Sequence, residues 1–568
     1  MTEHFRLSMP APGADTQVQL VRAGDTVMDA MARAGASLYA PCAGRGICGK
    51  CRLIAEGGLA APTDAERDHL TPRELAAGVR LACQARITGD AAVRAAGADA
   101  ASSARILLRD ENSGPAHAGP SSIAPQSEPE AHTQPRPADF GVALDIGTTT
   151  LVAYLVDRGT GLIMDAVGAL NPQAAHGADL ISRIVFSETP GGLNKLRQEV
   201  TESADGLVRT LLQRSGVPSA DVSLVSAVGN TCMHHLFLGI AAESLGVIPY
   251  TAAVLDTGTM LARTAGLTCI NPEASFFFLP NIAGFVGSDA LAVALVAGMD
   301  ERSRPTLAID IGTNGEILLA ADGRILACSA AAGPAFEGVN ISCGMIAAEG
   351  AIDWAGLAGA PPRYDIEIHV IGDVQPRGIC GSGLISIVAA LRRAELISEA
   401  GAFEPEALDR ASPLARRLVI GPSGLEFVVS DPVDAISRGH AVPARVSLTQ
   451  RDIRELQLAK AAIRAGSEIL LEEAGISAAD LERIVLAGAF GTYLDKSAAQ
   501  AMGLLPRAPR ARIAPLGNAA GEGAAMAVAD PDAYREARRL AGVVEHVELA
   551  ASAKFMQVFA DSMLLTEL

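Results

Sequence analysis

One apolar segment that contains the order Asp-Ile-Gly-Thr occurs twice in this chain, and this repeat most constrains the fold. Residues 142–153 and 307–319 each have an apolar run that ends in a carboxylate, a glycine turn with hydroxyls, and a second apolar run. This pattern predicts a β-hairpin in each copy. Because glycine lets a ligand approach the backbone and threonine adds hydroxyl donors, each hairpin is predicted to hold phosphate.

Both turns supply candidate binding residues. The candidates for phosphate are Gly147, Thr148, Thr149, Gly312, Thr313 and Asn314. Asp145 and Asp310, at the strand ends, are expected to face Mg²⁺ directly or through its waters. A single copy would fit ordinary turn chemistry equally well, because Asp, Gly and Thr all favour tight turns. Two copies favour phosphate binding.

The pair of hairpins resembles the phosphate-one and phosphate-two motifs of the acetate and sugar kinase, heat-shock chaperone and actin superfamily. The resemblance implies two related lobes with ATP in the cleft between them. It also implies a later adenosine motif, and residues 484–491 match it, with Gly488 and Gly491 in a Gly-x-x-Gly turn after an apolar strand. The sequence contains no Gly-x-x-x-x-Gly-Lys-Ser/Thr, so a P-loop ATPase is not supported.

Two further carboxylates are candidates for the cleft. Asp289 ends the segment 281–289 and is predicted to position water or Mg²⁺, with a helix N-cap as the competing role. Glu316, just past the second turn, is a comparable candidate. The adjacent residues His234 and His235 suggest a metal site, but neighbouring side chains on a helix diverge, so a capping or core role is favoured.

The composition limits the range of partners. The chain has 568 residues, a formal net charge of −18 and a pI near 5.1. This acidic balance argues against nucleic acid or an anionic membrane as the main partner. The start lacks the apolar core of a signal peptide and no apolar run reaches about 18 residues, so we expect a cytoplasmic protein.

Four cysteines are concentrated near the amino terminus. Cys42, Cys48 and Cys51 lie in one stretch of small and turn-forming residues, and Cys83 follows after a longer gap. In a cytoplasmic chain such thiols are metal ligands or reduced side chains rather than disulfides. Four thiolates in this arrangement suit a [2Fe–2S] cluster. Zinc is the alternative, but zinc sites usually have paired Cys-x2-Cys segments and this region has only one.

The residues around these cysteines predict a small β-grasp domain. Residues 18–21 and 51–54 are strand-like, 27–34 have one apolar helix face, and 71–74 have the form of a capping box. The segment resembles a ferredoxin, and the five residues between Cys42 and Cys48 are similar to the adrenodoxin type. The next segment is rich in Pro, Ser, Ala and Gly and is predicted to be a flexible linker.

A ferredoxin domain, a linker and an actin-like ATPase in one chain together resemble the reductive activators of corrinoid-dependent methyltransferases. Residues 228–235, 281–289 and 448–460 also look typical of that family. The resemblance implies an α/β multidomain chain whose ATPase has the actin- and hexokinase-like (ribonuclease H-like) fold. The expected divisions are the ferredoxin domain at 1–95, the linker at 96–138, the first ATPase lobe at 139–300 and the second lobe at 301–568.

The resemblance also implies an activity. A protein of this kind uses ATP to pass one electron from its [2Fe–2S] cluster to the cobalt(II) corrinoid of a methyltransferase system, which restores cobalt(I). The implied partners are that corrinoid protein and an electron donor, either a reductase or a low-potential ferredoxin. A homodimer is included among the expectations, because symmetric dimers are common.

Three other functions fit part of the sequence. A small-molecule kinase fused to a ferredoxin needs a general base in the cleft, and only Asp289 suggests one. An activator of a 2-hydroxyacyl-CoA dehydratase would hold a [4Fe–4S] cluster, for which Cys343 and Cys380 are candidates. A structural or chaperone role leaves the ferredoxin domain unexplained.

Overall fold

The structure is a computed structural model that describes most of the chain. The described residues are 4–11, 14–33, 46, 49, 51–70, 72–95, 139–177, 179–300, 304–360, 363–406, 412–421, 424–431, 445–488, 494–552 and 554–566. The chain divides into two compact units, one made of 1–104 with 170–200 and the other of 105–169 with 201–568. The predicted linker and Thr71, the first residue of the predicted capping box, lie outside the described residues.

The amino-terminal residues form a small mixed sheet with short helices. Its elements are β1 (His4–Ala11), β2 (Ala14–Arg22), α1 (Val27–Arg33), β3 (Arg52–Leu59), α2 (Asp64–His69), α3 (Pro72–Ala76), β4 (Val79–Leu81) and β5 (Ile87–Ala95). The strand order is β2-β1-β5-β3-β4, and β1 pairs with β5 in parallel while the other pairs are antiparallel. The strands and the helix predicted around residues 18–54 are present.

A buried ion pair connects helix α2 to strand β4. Thr63 and Glu66 form a capping box at the start of α2. Arg80 of β4 donates to both Glu66 carboxylate oxygens, at 2.8 and 2.9 Å, and Leu81 N donates to the same carboxylate at 3.1 Å. These bonds hold the pKa of Glu66 below its usual value even though burial opposes that shift. The pair therefore fixes the end of β4, two residues before Cys83.

The first hairpin lies in a six-stranded sheet. Residues 139–300 contain β6 (Phe140–Ile146), β7 (Thr150–Asp157), β8 (Leu162–Leu170), α4 (Leu180–Ser187), α5 (Gly192–Ser215), β9 (Val222–Val228), α6 (Thr231–Leu238), β10 (Thr259–Leu261), β11 (Ser275–Phe278) and α7 (Ser288–Ala297). The strand order is β10-β11-β9-β6-β7-β8. Strand β6 pairs antiparallel with β7 and parallel with β9, so the predicted hairpin is present at the centre of the sheet.

The second hairpin lies in a sheet of the same kind. Residues 304–566 contain β12 (Thr306–Ile311), β13 (Gly315–Ala321), β14 (Arg324–Ala330), β15 (Ala351–Ala360), β16 (Arg363–Val370), β17 (Gly378–Ile379), α8 (Gly381–Arg393), α9 (Pro413–Arg417), β18 (Leu418–Gly421), β19 (Gly424–Ser430), β20 (Val446–Thr449), α10 (Gln450–Glu473), β21 (Arg483–Ala487), α11 (Lys496–Ala501), β22 (Arg512–Gly517), α12 (Ala519–Ala529), α13 (Pro531–Val543), β23 (Val544–His546) and α14 (Phe555–Asp561). The main strand order is β22-β21-β12-β13-β14-β23. Strand β12 pairs antiparallel with β13 and parallel with β21, which repeats the pattern of the first lobe.

A shared core joins the two lobes. Helices α7 and α12 contribute alanine-rich faces to one cluster of buried residues that also contains strand residues from both hairpins. The helices pack closely because their side chains are small: a Cβ on Gly523 would lie 2.7 Å from the Cβ of Ala292. Both hairpins are therefore anchored to the same packed core. Within the described part of the chain, we find no helix with the length and apolarity needed to span a bilayer.

Helix α10 has a capped start and one buried apolar face. Thr449 and Asp452 make a capping box at its start, and Ile453 and Leu456 are buried on one face. The helix ends at Glu473, and Gly475 follows with a φ of 70°. This left-handed conformation favours glycine, which explains why the chain turns there.

Candidate functional site

The two hairpins place their aspartates at equivalent positions. Asp145 lies opposite Val152 of β7 and beside Val228 of the parallel strand β9. Asp310 lies directly opposite Glu316 of β13 and beside Ala487 of the parallel strand β21. Each aspartate therefore stands at the carboxyl edge of a parallel strand pair, where ligands of open α/β sheets bind.

Hydroxyls from the two turns meet. Thr149 Oγ1 and Thr313 Oγ1 are 3.1 Å apart. The carboxylate of Glu337 accepts a hydrogen bond from each of them, at 2.6 Å from Thr149 and 2.8 Å from Thr313. The neighbouring Thr148 hydroxyl accepts a bond of 2.9 Å from Asn230 Nδ2. The predicted phosphate-binding hydroxyls of both lobes thus converge on one place.

The predicted carboxylates also come together beside these turns. Desolvation raises the pKa of Asp145 to about 6, only partly opposed by a hydrogen bond from Asn518. Desolvation, with repulsion from Asp145, raises the pKa of Asp289 to about 7. Desolvation and repulsion from Asp289 and Asp145 raise the pKa of Asp310 to about 7. Desolvation and repulsion from Asp289 and Asp310 raise the pKa of Glu316 well above its usual value.

This cluster is chemically suited to a hard cation. Like charges at close range in a desolvated site are unfavourable unless a cation or protons offset them. Among the residues that the structure describes, however, no three His, Cys, Asp or Glu side chains are arranged as ready ligands of one metal ion. Mg²⁺ commonly keeps several waters and uses only one or two carboxylates, so the cluster fits Mg²⁺ better than a fully protein-coordinated metal.

Close glycine contacts bring Asp289 into the cluster. A Cβ on Gly287 would lie 2.4 Å from Asn230 Cα, and one on Gly229 would lie 2.6 Å from the Ile146 carbonyl oxygen. The start of α7 therefore packs against the turn after β9, and that turn packs against the end of β6. The competing N-cap role of Asp289 was wrong, because Gly287 is the N-cap and Asp289 lies inside the first helical turn.

A capping asparagine positions Asp145. Asn518 caps helix α12 by accepting from Gly521 N at 3.1 Å. Its Nδ2 donates to Asp145 Oδ2 at 2.8 Å and to the Tyr154 hydroxyl at 2.9 Å. Asn518 therefore stands at the junction between strand β22 and helix α12 and holds the first lobe's aspartate.

The predicted binding glycines differ in their surroundings. A Cβ on Gly488 would lie 2.8 Å from Asp310 Oδ1, so this glycine lets the predicted adenosine motif pack against the carboxylate. A Cβ on Gly147 would lie 2.6 Å from the Thr150 carbonyl oxygen. Gly312 N donates to the Asn314 carbonyl at 3.1 Å, so a phosphate oxygen would have to replace that bond. Gly491 lies outside the described residues.

Two of the predicted cluster cysteines are described, and they lie together. Cys51 Sγ and Cys83 Sγ are 3.3 Å apart, close enough to bind one metal centre and too far for a disulfide, whose sulfurs are about 2.0 Å apart. A Cβ on Gly46 would lie 2.7 Å from Gln84 Nε2, which itself lies 3.6 Å from Cys83 Sγ. These contacts fit a compact loop around an inorganic cluster. Cys42 and Cys48 lie outside the described residues.

The paired histidines belong to the core, as predicted. His235 donates from Nδ1 to the Thr231 carbonyl at 2.7 Å and accepts at Nε2 from Ala253 N at 3.1 Å. Asn281 Nδ2 lies 2.9 Å from His234 Nδ1. Desolvation and the nearby His235 lower the pKa of His234 to about 3, so both rings are neutral and structural.

Several contributors to the site were missed in the sequence. They are Asn230, Asn518 and Glu337. The two asparagines each precede a helix, and this N-cap signal could have identified them. Glu337 follows a Gly-Pro turn and carries no comparable local signal.

Comparison with protein families matches the chain in three parts. Residues 13–88 match a 2Fe-2S iron-sulfur cluster binding domain. Residues 140–302 match the RACo middle region, and 304–568 match the C-terminal domain of RACo, the ASKHA domain. The first match supports an iron–sulfur cluster over zinc, and all three confirm the predicted fold class.

Individual relatives extend over most of the chain. The corrinoid activation enzyme RamQ of Eubacterium limosum is 35% identical over 423 residues, which cover 74% of this chain and 69% of RamQ. The Co(II) methylated amine-specific corrinoid protein reductase of Methanosarcina barkeri is 27% identical over 398 residues, covering 65% of this chain and 66% of that protein. A solved structure of a reductive activator for corrinoid, iron-sulfur protein covers 99% of this chain and 98% of its own, with a TM-score of 0.68 and 28% identity.

The three family matches together span the ferredoxin-like segment, both hairpins and the residues of the carboxylate cluster. They also confirm the resemblance that the order of motifs predicted. The chain belongs to the family of reductive activators of corrinoid proteins.

Proposed function

We propose that this chain uses ATP to deliver one electron to the cobalt(II) corrinoid of a methyltransferase system, which restores cobalt(I). The observation that carries this proposal is the convergence of both hairpins: Thr149 and Thr313, 164 residues apart, bring their hydroxyls within 3.1 Å of each other. A nucleotide site of this kind, in a chain that also has a ferredoxin-like domain, suits an electron-transfer activator. Neither the nucleotide site nor the ferredoxin-like domain would indicate this function by itself.

The nucleotide is proposed to bind between the hairpins with Mg²⁺. The phosphates would contact the two turns, and Gly488 and Gly491 would lie on the nucleoside side. Asp145, Asp289 and Asp310 would hold the hydrated cation, with Glu316 opposite Asp310 on the neighbouring strand. Mg²⁺ supplies positive charge that offsets both these carboxylates and the phosphates.

The [2Fe–2S] cluster is proposed to be held by Cys42, Cys48, Cys51 and Cys83. When bound, the cluster supplies the single electron that the corrinoid accepts. The Arg80–Glu66 pair would keep the Cys83 turn in place, and Gln84 would donate toward the thiolate of Cys83. A reductase or a low-potential ferredoxin is the proposed electron donor.

ATP is needed because the reduction of cobalt(II) is uphill for a ferredoxin of ordinary potential. Each ~59 mV of shortfall in a one-electron step costs a factor of about ten in the equilibrium. Hydrolysis of ATP in the cleft, together with a change in lobe closure, is proposed to offset that cost by favouring one corrinoid state. The similarity to corrinoid activators favours this function over a small-molecule kinase or a dehydratase activator. We also propose a homodimer, which light scattering of the purified chain tests.

The decisive experiment is anaerobic visible spectroscopy of a cobalt(II) corrinoid protein mixed with this chain in its reduced form. We expect cobalt(I) to appear only when ATP and Mg²⁺ are present. Cys83→Ser and Asp310→Asn should abolish its formation. Persistent cobalt(II) with several corrinoid proteins, while ATP is still hydrolysed, would refute the proposal.

Cys343→Ser is the matched control because it removes a thiol outside the ferredoxin-like domain. Cys343 Sγ accepts from Ser447 N at 3.4 Å, a bond that a serine hydroxyl can also accept. We expect this variant to keep two irons per chain and full activity. Loss of iron in Cys343→Ser would instead support the dehydratase-activator alternative.

A further inference from the structure

Glu337 occupies the place that the proposed function assigns to phosphate. Its carboxylate accepts hydrogen bonds from Thr149 of the first hairpin and Thr313 of the second. These two hydroxyls are 3.1 Å apart, so the carboxylate bridges the two lobes at the tips of both turns. A carboxylate presents two anionic acceptor oxygens to these hydroxyls, as an edge of a phosphate group would.

The hydroxyl protons cannot serve Glu337 and a phosphate at once. A threonine hydroxyl has one proton, and at 2.6 and 2.8 Å both protons point to the Glu337 carboxylate. A nucleotide phosphate that takes these protons must displace the carboxylate. If the carboxylate stayed, two anions would share one small space, which is unfavourable at short range.

The backbone that carries Glu337 is firmly anchored. It ends the short 3-10 helix Pro334–Glu337, whose Ala335 and Phe336 side chains are buried in the second lobe. Gly338 follows with a φ of 74°, and a Cβ there would lie 2.5 Å from Met345 N. The bonds from Thr149 and Thr313 to Glu337 add to this anchoring, so loss of these bonds should loosen the segment.

We propose that Glu337 senses the terminal phosphate of the nucleotide. Without nucleotide it joins Thr149 to Thr313 and keeps the two hairpins together; bound nucleotide takes over both hydroxyls and releases it. This inference rests on the proposed nucleotide site and adds the regulation of that site. The competing role, in which Glu337 orients a water molecule for hydrolysis, predicts that the Glu337 variants lose hydrolysis while their nucleotide affinity stays unchanged.

Calorimetric titration of the full chain tests the proposal. The chain is titrated, in the presence of Mg²⁺, with a non-hydrolysable ATP analogue and separately with ADP. Glu337→Ala and Glu337→Gln should bind the analogue about tenfold more tightly than the unaltered chain, because the competitor has lost its charge. The affinity for ADP, which lacks the terminal phosphate, should increase less in these variants. Glu273→Gln removes a carboxylate whose side chain is 75% exposed and should change neither affinity.

Hydrogen exchange supplies a second readout. In the unaltered chain, the analogue should increase amide exchange in residues 334–342, and this increase should be absent in Glu337→Ala. Equal or weaker binding of the analogue by both Glu337 variants would overturn the inference while leaving the proposed function intact. Loss of hydrolysis with unchanged binding would also overturn it, in favour of the water-orienting role. If the unaltered chain bound no nucleotide, the proposed function would fail as well.

Discussion

Replacing Asp310 with asparagine should stabilise the nucleotide-free protein and abolish its response to Mg²⁺ and ATP. The Asp310 carboxylate lies opposite Glu316 and is repelled by Asp289 and Asp145. Desolvation and this repulsion raise its pKa from 3.8 to about 7. Asparagine has nearly the same shape without the charge, so it removes the unfavourable interactions and keeps the packing against Gly488.

The pKa shift sets the size and the sign of the effect. Three pKa units at about 1.4 kcal/mol each give a ceiling of about 4 kcal/mol. Because the carboxylates share the repulsion and Asp310 is only partly buried, we expect a gain of about 1–2 kcal/mol in the free energy of unfolding at pH 8. A carboxyl whose pKa is raised by folding favours the folded state at low pH. Its contribution is therefore full below about pH 4, declines up to about pH 7 and is constant above that.

The chain contains a single tryptophan, and it provides the assay. Trp354 lies on β15 of the second lobe, so its fluorescence during urea unfolding reports the lobe that carries Asp310. With EDTA present, Asp310→Asn and the unaltered chain should differ at pH 8 and converge as the pH falls toward 4. Glu273→Gln serves as the control for loss of one surface carboxylate. If Asp310→Asn were no more stable than this control at pH 8, the view of Asp310 as a desolvated, repelled charge would be refuted.

Three other changes test separate contacts. Glu66→Ala leaves Arg80 buried without its carboxylate partner. We therefore expect the free energy of unfolding of the ferredoxin-like domain, measured by thermal unfolding, to fall by about 3–5 kcal/mol, and the iron content per chain to fall as well. Normal iron content and normal stability would contradict this prediction. Gly521→Ala puts a Cβ 2.4 Å from the Tyr154 ring. The free energy of unfolding should therefore fall by about 1–3 kcal/mol, and nucleotide affinity should weaken. Unchanged affinity in a nucleotide titration would show that this contact does not position Asp145. Gln84→Leu removes an amide donor that lies 3.6 Å from the sulfur of Cys83. The reduction potential of the cluster should fall by roughly 40 mV in a redox titration, which is the one-electron equivalent of about 1 kcal/mol. An unchanged potential would show that the amide does not bond the thiolate.

The hairpins could be predicted because their signals are local. An apolar run, a carboxylate and a glycine turn determine the structure of each copy within about a dozen residues, and the repeat identified both. The pairing of Asp310 with Glu316 follows from the short turn between their strands. The cap and the apolar face of helix α10 are local signals of the same kind, because they lie in one continuous segment.

The contacts between distant segments could not be predicted in this way. Asn518 bonds Asp145 across 373 residues, and Glu337 bonds Thr149 across 188. These partners depend on how helix α12 and the segment after β14 pack against the first lobe. The N-cap competitor for Asp289 failed for the same reason, since Gly287 is required by the close approach of Asn230 rather than by its own sequence neighbours. Local sequence patterns identify a helix or a strand, whereas its contacts with distant segments depend on how closely small residues let the elements pack.

If Mg²⁺ and ATP bind as proposed, the charges at this site should make the binding of each depend on the other. Without ligands, Asp145, Asp289, Asp310 and Glu316 repel one another, and Glu337 holds the hydroxyls of both turns. Mg²⁺ alone would offset the repulsion but leave Glu337 on the hydroxyls. ATP alone would compete for the hydroxyls but add negative charge to an anionic site. Only the Mg²⁺–ATP complex would both offset the charge of the carboxylates and occupy the hydroxyls of the two turns. Closure of the lobes should therefore respond to this complex far more than to either component.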